Sequence, residues 1–192
     1  MKPVLREFPY SFKSERLIIR GPLPGDGVAI RAAVIESQAQ LKPWMPWAVN
    51  IPSEEEYEVR VRQGQLKFLS REDLWMILLL KGSDTVVGCS GLHRIDWSVP
   101  RFEIGYWVRT RFARQGFITE AAAAITDFAF NTLGAARVEI RCDALNERSA
   151  AVPRRLGFTH EATLRHNSRN HITGELRDTL IFAKLASASS IG

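Results

Sequence analysis

Three strand-like segments joined by short connections, followed by two helices set alternately between strands, predict an α+β protein built on one mostly antiparallel sheet. The three segments are Leu74 to Leu80, Thr85 to His93 and Phe102 to Val108, and their short links imply an antiparallel meander. The two helices open after Gly116 and at Asn146. Composition supports the same class: 192 residues, 45% hydrophobic and 24% charged, suffice for one well-buried core. We therefore expect a single domain over residues 1–186, followed by a small polar tail, Ser187 to Gly192, that frays.

In chain order, Arg16 to Arg20 reads as the first strand, and the Gly21 to Gly27 stretch as a turn into a helix over Val28 to Ser37. Leu41 to Ala48, LKPWMPWA, places two tryptophans among prolines and predicts a stiff loop. Ser53 with Glu56 three residues on forms a capping box for a helix reaching Leu69. After the meander, apolar residues at Ile118, Ala121, Ala122, Ile125, Phe128 and Ala129 keep helical spacing, and Gly134 stops that helix. Arg137 to Cys142 is a strand. A helix from Asn146 to Gly157 and strands at Phe158 to Leu164 and Leu176 to Lys184 complete a sheet of about seven strands with helices on its faces.

Several function classes are excluded. The longest apolar run, Leu74 to Leu80, is far shorter than the roughly 20 residues that span a bilayer, and Met1 to Tyr10 lacks a secretory h-region. Cys89 and Cys142 form no CxxC, which leaves no disulfide scaffold, and we expect a reduced, cytoplasmic chain. His93, His160, His166 and His171 lack metal-site spacing, so no metal is assigned. The net charge of +5 is modest and collects around Arg109, Arg111, Arg114 and Arg148, Arg154, Arg155. Two local clusters suit a small polyanion better than a nucleic-acid duplex.

The strand, basic loop and helix of Phe102 to Ala124, FEIGYWVRTRFARQGFITEAAAA, form an anion site by construction. Helix-start amides point outward unpaired, and Gly116 lets a ligand approach the backbone. The plainer reading is a solvated loop in which Gly116 only makes the turn. In NERSAAVPRRLGF, Asn146 to Phe158, Asn146 caps a helix and Ser149 sits in its first turn, as a site hydroxyl or as a surface serine.

The order and spacing of these pieces resemble the GNAT acetyltransferases, in particular the RimJ/RimL-like protein N-acetyltransferase branch. The resemblance runs through SERLIIR (14–20), LKPWMPWA (41–48), VVGCSGL (86–92), FEIGYWV (102–108), RQGFITEA (114–121), NERSAAVPRRLGF (146–158) and RDTLIFAKL (177–185). It implies a GNAT fold whose mixed sheet splays at the centre between Phe102 to Val108 and Arg137 to Cys142, with acetyl-CoA as co-substrate in the gap. The backbone of Trp107, Val108 and Arg109 would pair with pantetheine. Arg114, Gln115, Gly116, Phe117, Ile118 and Thr119 would hold the pyrophosphate, and Asn146 matches the cofactor-contacting asparagine of the family. Arg154 or Arg155 would meet the adenosine phosphate, or lie on a solvated helix face. Ser149 matches the residue that protonates the departing thiolate. Pro153 falls inside that last helix, where it kinks or delays it.

Glu103 alternates with Phe102 and Ile104 and so faces the cleft, as the base for the amine or as the ion-pair partner of an arginine. Trp44 and Trp47 wall the acceptor pocket, core filling being the alternative. The implied activity is direct acetyl transfer to a primary amine, a protein or peptide N-terminus foremost, as in a ribosomal-protein alanine N-acetyltransferase. Acetylation of a small amine such as an antibiotic, polyamine or amino acid is the enzymatic rival. Departures from the family pattern at Ala113, Ile118 and Ser168 point to the other rival, a non-catalytic acyl-CoA sensor. Members of the branch often form homodimers, and no membrane partner is expected.

Overall fold

The computed structural model describes residues 2–186. The tail expected to fray, Ser187 to Gly192, lies outside the described residues. The strands are β1 (Ser11–Lys13), β2 (Leu17–Arg20), β3 (Leu74–Leu80), β4 (Val86–Asp96), β5 (Arg101–Val108), β6 (Arg137–Asp143), β7 (Thr159–Arg169) and β8 (Leu176–Leu185). The helices are α1 (Asp26–Leu41), α2 (Glu54–Ser70), α3 (Phe117–Asn131) and α4 (Glu147–Arg155). One eight-stranded sheet has the order β1-β2-β3-β4-β5-β6-β8-β7. Every neighbouring pair is antiparallel except β5 with β6, which run parallel. This mixed sheet matches the expected class.

Three details correct the sequence reading. The sheet has eight strands rather than seven, because Ser11–Lys13 pairs at the edge with Ile18 to Arg20, and a three-residue strand carries too short a pattern to be read. Helix α1 runs to Leu41, four residues past the expected Ser37, because Leu41 is buried with Ile30, Ala33 and Val34 and this packing holds the last turn. Strand β7 continues past Leu164 to Arg169 by pairing Ser168 and Arg169 with Arg177 and Leu176, although its outer residues are polar. Propensity is silent where cross-strand bonds alone decide.

Alternation along the strands divides the core. Met76, Leu78, Phe102 and Ile104 pack with Phe117, Ala121 and Ile125 of α3, while Ile77, Leu79 and Cys89 face Ile30, Val34 and Val61 of α1 and α2. The sheet is thus covered on both faces, and the site lies where its central pair separates. The register of β5 and β6 runs from Arg101 with Arg137 to Ile104 with Ile140 and stops there. Beyond it, Gly105 to Val108 and Arg141 to Asp143 diverge. None of the described helices is long and apolar enough to cross a membrane.

Candidate active site

Where β5 leaves β6, its backbone is free on one side. The Arg109 N–H donates to Val87 of β4 at 2.8 Å, and in an antiparallel ladder the residues alternate. Trp107 and Arg109 therefore spend their main-chain groups on β4, whereas those of Tyr106 and Val108 turn into the gap. Of the three residues expected to pair with pantetheine, Val108 is the one so turned.

The gap leads to the start of α3. Gly116, the N-cap residue, has φ 81, and no side chain caps the helix, so the first-turn amides of Phe117, Ile118 and Thr119 have no partner within it. Arg114 is also left-handed, at φ 63, which reverses the chain just before the helix. Arg16 flanks this mouth from the start of β2. Its guanidinium stacks 4.0 Å over Phe117, donates to the Gln115 carbonyl at 3.0 Å and pairs with Glu120 at 2.6 Å. Nothing in the local sequence around Arg16 announces this placement, which depends on β2 passing beside α3.

The basic residues of the loop divide in their roles. Glu36 of α1 binds both Arg109, at 2.8 Å, and Arg111. The Arg111 and Arg109 bonds outweigh partial burial and push the Glu36 carboxyl down to about 2. These two guanidiniums brace the loop against α1, and Arg114 is left exposed. Arg154 pairs with Glu147 at 2.8 Å and lies over the Phe182 ring, while Arg155 is exposed.

On the α4 side of the gap, Asn146 caps its helix by accepting the Ser149 N–H at 3.1 Å. Ser149 Oγ is 3.3 Å from the Tyr106 hydroxyl, which itself donates to the Ser149 carbonyl at 2.9 Å. That carbonyl is available because its regular helical partner would be the N–H of residue 153, which is proline. Pro153 neither breaks nor delays α4; it releases the acceptor that Tyr106 takes. Burial pushes the Tyr106 phenol above its ordinary range, so it remains a donor at neutral pH. Tyr106 carried no role in the sequence reading, though its parity with Phe102 and Ile104 places it on the face of α3 and α4.

The opposite side opens into a cleft of about 550 Å³ walled by the Pro43 to Pro46 loop, β5, β6 and the turn between β7 and β8. Glu103 and Gly105 line it, as do Ser149, Asn146, Ser168 and Trp44. Glu103 is 3.5 Å from Arg94; burial raises its carboxyl above the usual range although Arg94 and Arg141 pull the other way. Both sequence readings of Glu103 thus describe one geometry, a cleft carboxylate with an arginine neighbour. Trp44 and Trp47 separate: Trp47 meets Trp107 edge-on at 6.1 Å, and Trp44 borders the cleft. The His93 ring lies against Gly105, where an added Cβ would be 3.2 Å from it, and its Nδ1 is 2.7 Å from the Asp73 carboxylate.

Burial pushes the Cys142 thiol up to about 11 and Cys89 higher still, so neither is an ionised nucleophile at neutral pH. Among the described residues no group of His, Cys, Asp and Glu could hold a metal ion. The site offers a backbone-lined slot ending at a helix N-terminus, a hydroxyl pair at its inner end and a carboxylate across from it. That set suits group transfer from a long anionic carrier to a nucleophile entering from the other face.

Comparison with known proteins agrees. Residues 16–159 match the family model of the acetyltransferase (GNAT) domain. Over 173 residues the chain is 30% identical to the Bacillus subtilis protein named "Putative ribosomal N-acetyltransferase YdaF", covering 90% of this chain and 92% of that protein. It is 30% identical over 128 residues to the ribosomal-protein-serine acetyltransferase of Escherichia coli, covering 65% of this chain and 70% of that protein. The crystal structure of RimL, a ribosomal alpha-N-protein acetyltransferase in complex with coenzyme A, superposes with a TM-score of 0.83 at 22% identity, covering 94% of this chain and 98% of the other. At that identity the likeness establishes the fold.

Proposed function

The chain belongs to the GNAT acetyltransferase family, and from that premise we propose that it moves the acetyl group of acetyl-CoA to the N-terminal amine of a protein or peptide, in the cytoplasm, through one catalytic domain spanning residues 1–186. The observation that carries this reading is the separation of β5 from β6 after Ile104, where a single cleft reaches Tyr106 and Ser149 at the end of the donor slot as well as Glu103 and Trp44 on the acceptor side. The donor substrate fits the slot. The inward backbone of Tyr106 and Val108 offers an extended chain the bonds that β6 no longer makes, and the α3 amides with Gly116 suit a pyrophosphate.

Each residue then has a task. The inward amides of Tyr106 and Val108 stabilise negative charge on the thioester oxygen. Glu103, ionised, accepts the proton of the incoming amine directly or through water, and Ser149, oriented by Tyr106, protonates the leaving sulfur. Trp44 supplies an apolar wall to the acceptor. A polypeptide N-terminus suits the cleft because it is open and not acidic: Arg94, Arg141, Arg169 and His171 border it alongside Glu103 and Asp143. The same features tell against a polycationic acceptor.

The experiment is to incubate the protein with acetyl-CoA and pools of peptides or small amines, follow free CoA and identify products by mass. We expect peptides acetylated at their N-termini. Acetylation confined to small amines would transfer the function to metabolites, and acetyl-CoA binding without release would leave a sensor.

A further inference from the structure

Four buried side-chain nitrogen or oxygen atoms have no hydrogen-bond partner among the described residues, those of Arg6, Tyr57, Thr110 and Arg141, and of these residues only Arg141 lines the cleft. Its Nε is buried, and its guanidinium makes no hydrogen bond or ion pair with any described residue. A buried N–H without an acceptor is a costly arrangement unless something else supplies one, and Arg141 as a whole is only half-buried where it lines the cleft.

The neighbouring carboxylates do not. Glu139, two residues before it on β6, is 2.6 Å from Arg137. Asp143, two residues after it, accepts the Leu145 N–H at 2.8 Å and lies 4.0 Å from Arg177. Glu103, across the gap, is 3.5 Å from Arg94. Arg141 makes no ion pair with any of these three acids, although its charge reaches Glu103, and it stands on the face and in the cavity that admit the acceptor.

We infer that Arg141 recognises a carboxylate on the acceptor, so that the preferred substrate is an amine with an acidic group close to it. This rests on reading the cleft as the acceptor side of an N-acetyltransferase. Glu103 takes the amine, and the planar fork of Arg141, on the adjoining strand, takes the carboxylate, with a two-bond geometry that lysine cannot reproduce. The carboxylate is either an acidic side chain next to the N-terminal residue or the α-carboxylate of a small acceptor. Both present the same group to the same fork.

Two pairs of acceptors separate these sources: the C-terminally amidated peptides Ser-Glu-Ala-Ala and Ser-Gln-Ala-Ala, and free serine against serine amide. We expect the acidic member of one pair to be favoured on the order of tenfold in kcat/KM, chiefly through KM. Arg141→Gln should bring that ratio close to one, with Arg141→Lys intermediate. A peptide preference identifies an acidic second residue, and a serine preference identifies an α-carboxylate. Equal use of both members of both pairs, with CoA released, overturns the role of Arg141 and leaves the transferase reading standing. If none is acetylated, the transferase reading loses its support, and calorimetric binding of the Glu and Gln peptides and of serine and serine amide still decides: no preference for the carboxylate member of either pair overturns the inference.

Discussion

The Tyr106 hydroxyl donates to the carbonyl oxygen of Ser149 at 2.9 Å, and the Ser149 hydroxyl lies 3.3 Å from the same phenolic oxygen. A strand residue and a helix residue are thereby locked together at the inner end of the donor slot. If Ser149 protonates the leaving sulfur, Ser149→Ala lowers kcat about 100-fold with the KM for acetyl-CoA little changed. Tyr106→Phe, which removes a positioning contact, lowers it about tenfold, and the double variant is no slower than Ser149→Ala alone. Additive losses in steady-state kinetics would show that the two hydroxyls act independently.

Pro153 makes this lock available by leaving the Ser149 carbonyl without its helical donor. Pro153→Ala restores an N–H at that position, in competition with Tyr106. Stability is expected to hold or rise by about 1 kcal/mol as an interior helical proline is removed, while kcat falls a few-fold. A melting temperature that drops together with activity would instead make Pro153 a packing residue.

Glu103 has its carboxyl raised by burial above the ordinary 4.5, against the pull of Arg94 and Arg141. A base works ionised, so kcat/KM should rise with pH through that raised value, below the titration of the amine itself. Glu103→Gln is expected to remove this limb and to lower the plateau. If the limb persists unchanged in the pH profile, Glu103 serves only Arg94.

Gly116 and Gly134 begin and follow α3 with φ 81 and φ 70, and an added Cβ meets nothing closer than Arg16 Nη2 at 3.5 Å in the first case and nothing within 4 Å in the second. Alanine at either position costs about 1 kcal/mol of left-handed strain, a fall of about 3 °C in Tm. Gly116→Ala alone should raise the KM for acetyl-CoA. Equal KM values for the two variants would remove Gly116 from the donor site.

Glu36 ties α1 to the loop before α3, with its carboxyl lowered from 4.5 to about 2. A depressed carboxylate contributes stability that is fully present above its unfolded value and is lost as the pH falls through its folded one. Glu36→Gln should therefore melt earlier than the parent at neutral pH, with the gap closing between about pH 4.5 and pH 2. A gap independent of pH would mean that the charge is not what holds the loop.

Much of the fold was legible because its signals are local. Ser53 and Glu56 form the capping box their spacing announced, Asn146 caps α4, and Gly116 and Gly134 bracket α3. Strand β1 was missed because three residues of alternation carry no pattern. The extra turn of α1 was missed because it rests on where Leu41 packs.

The sequence by itself determined the order of elements, the helix start at Gly116 and the side of β5 that Glu103 faces, since each follows from periodicity or capping within a few residues. Tertiary structure decided that Tyr106 reaches Ser149, that Glu36 claims Arg109 and Arg111, that Trp44 meets the cleft while Trp47 meets Trp107, and that Arg141 Nε is left without a partner among the described residues. Those outcomes join residues 43 to 75 positions apart, or depend on every neighbour of one side chain at once. Short-range preferences hold no information about which distant group the folded chain brings alongside.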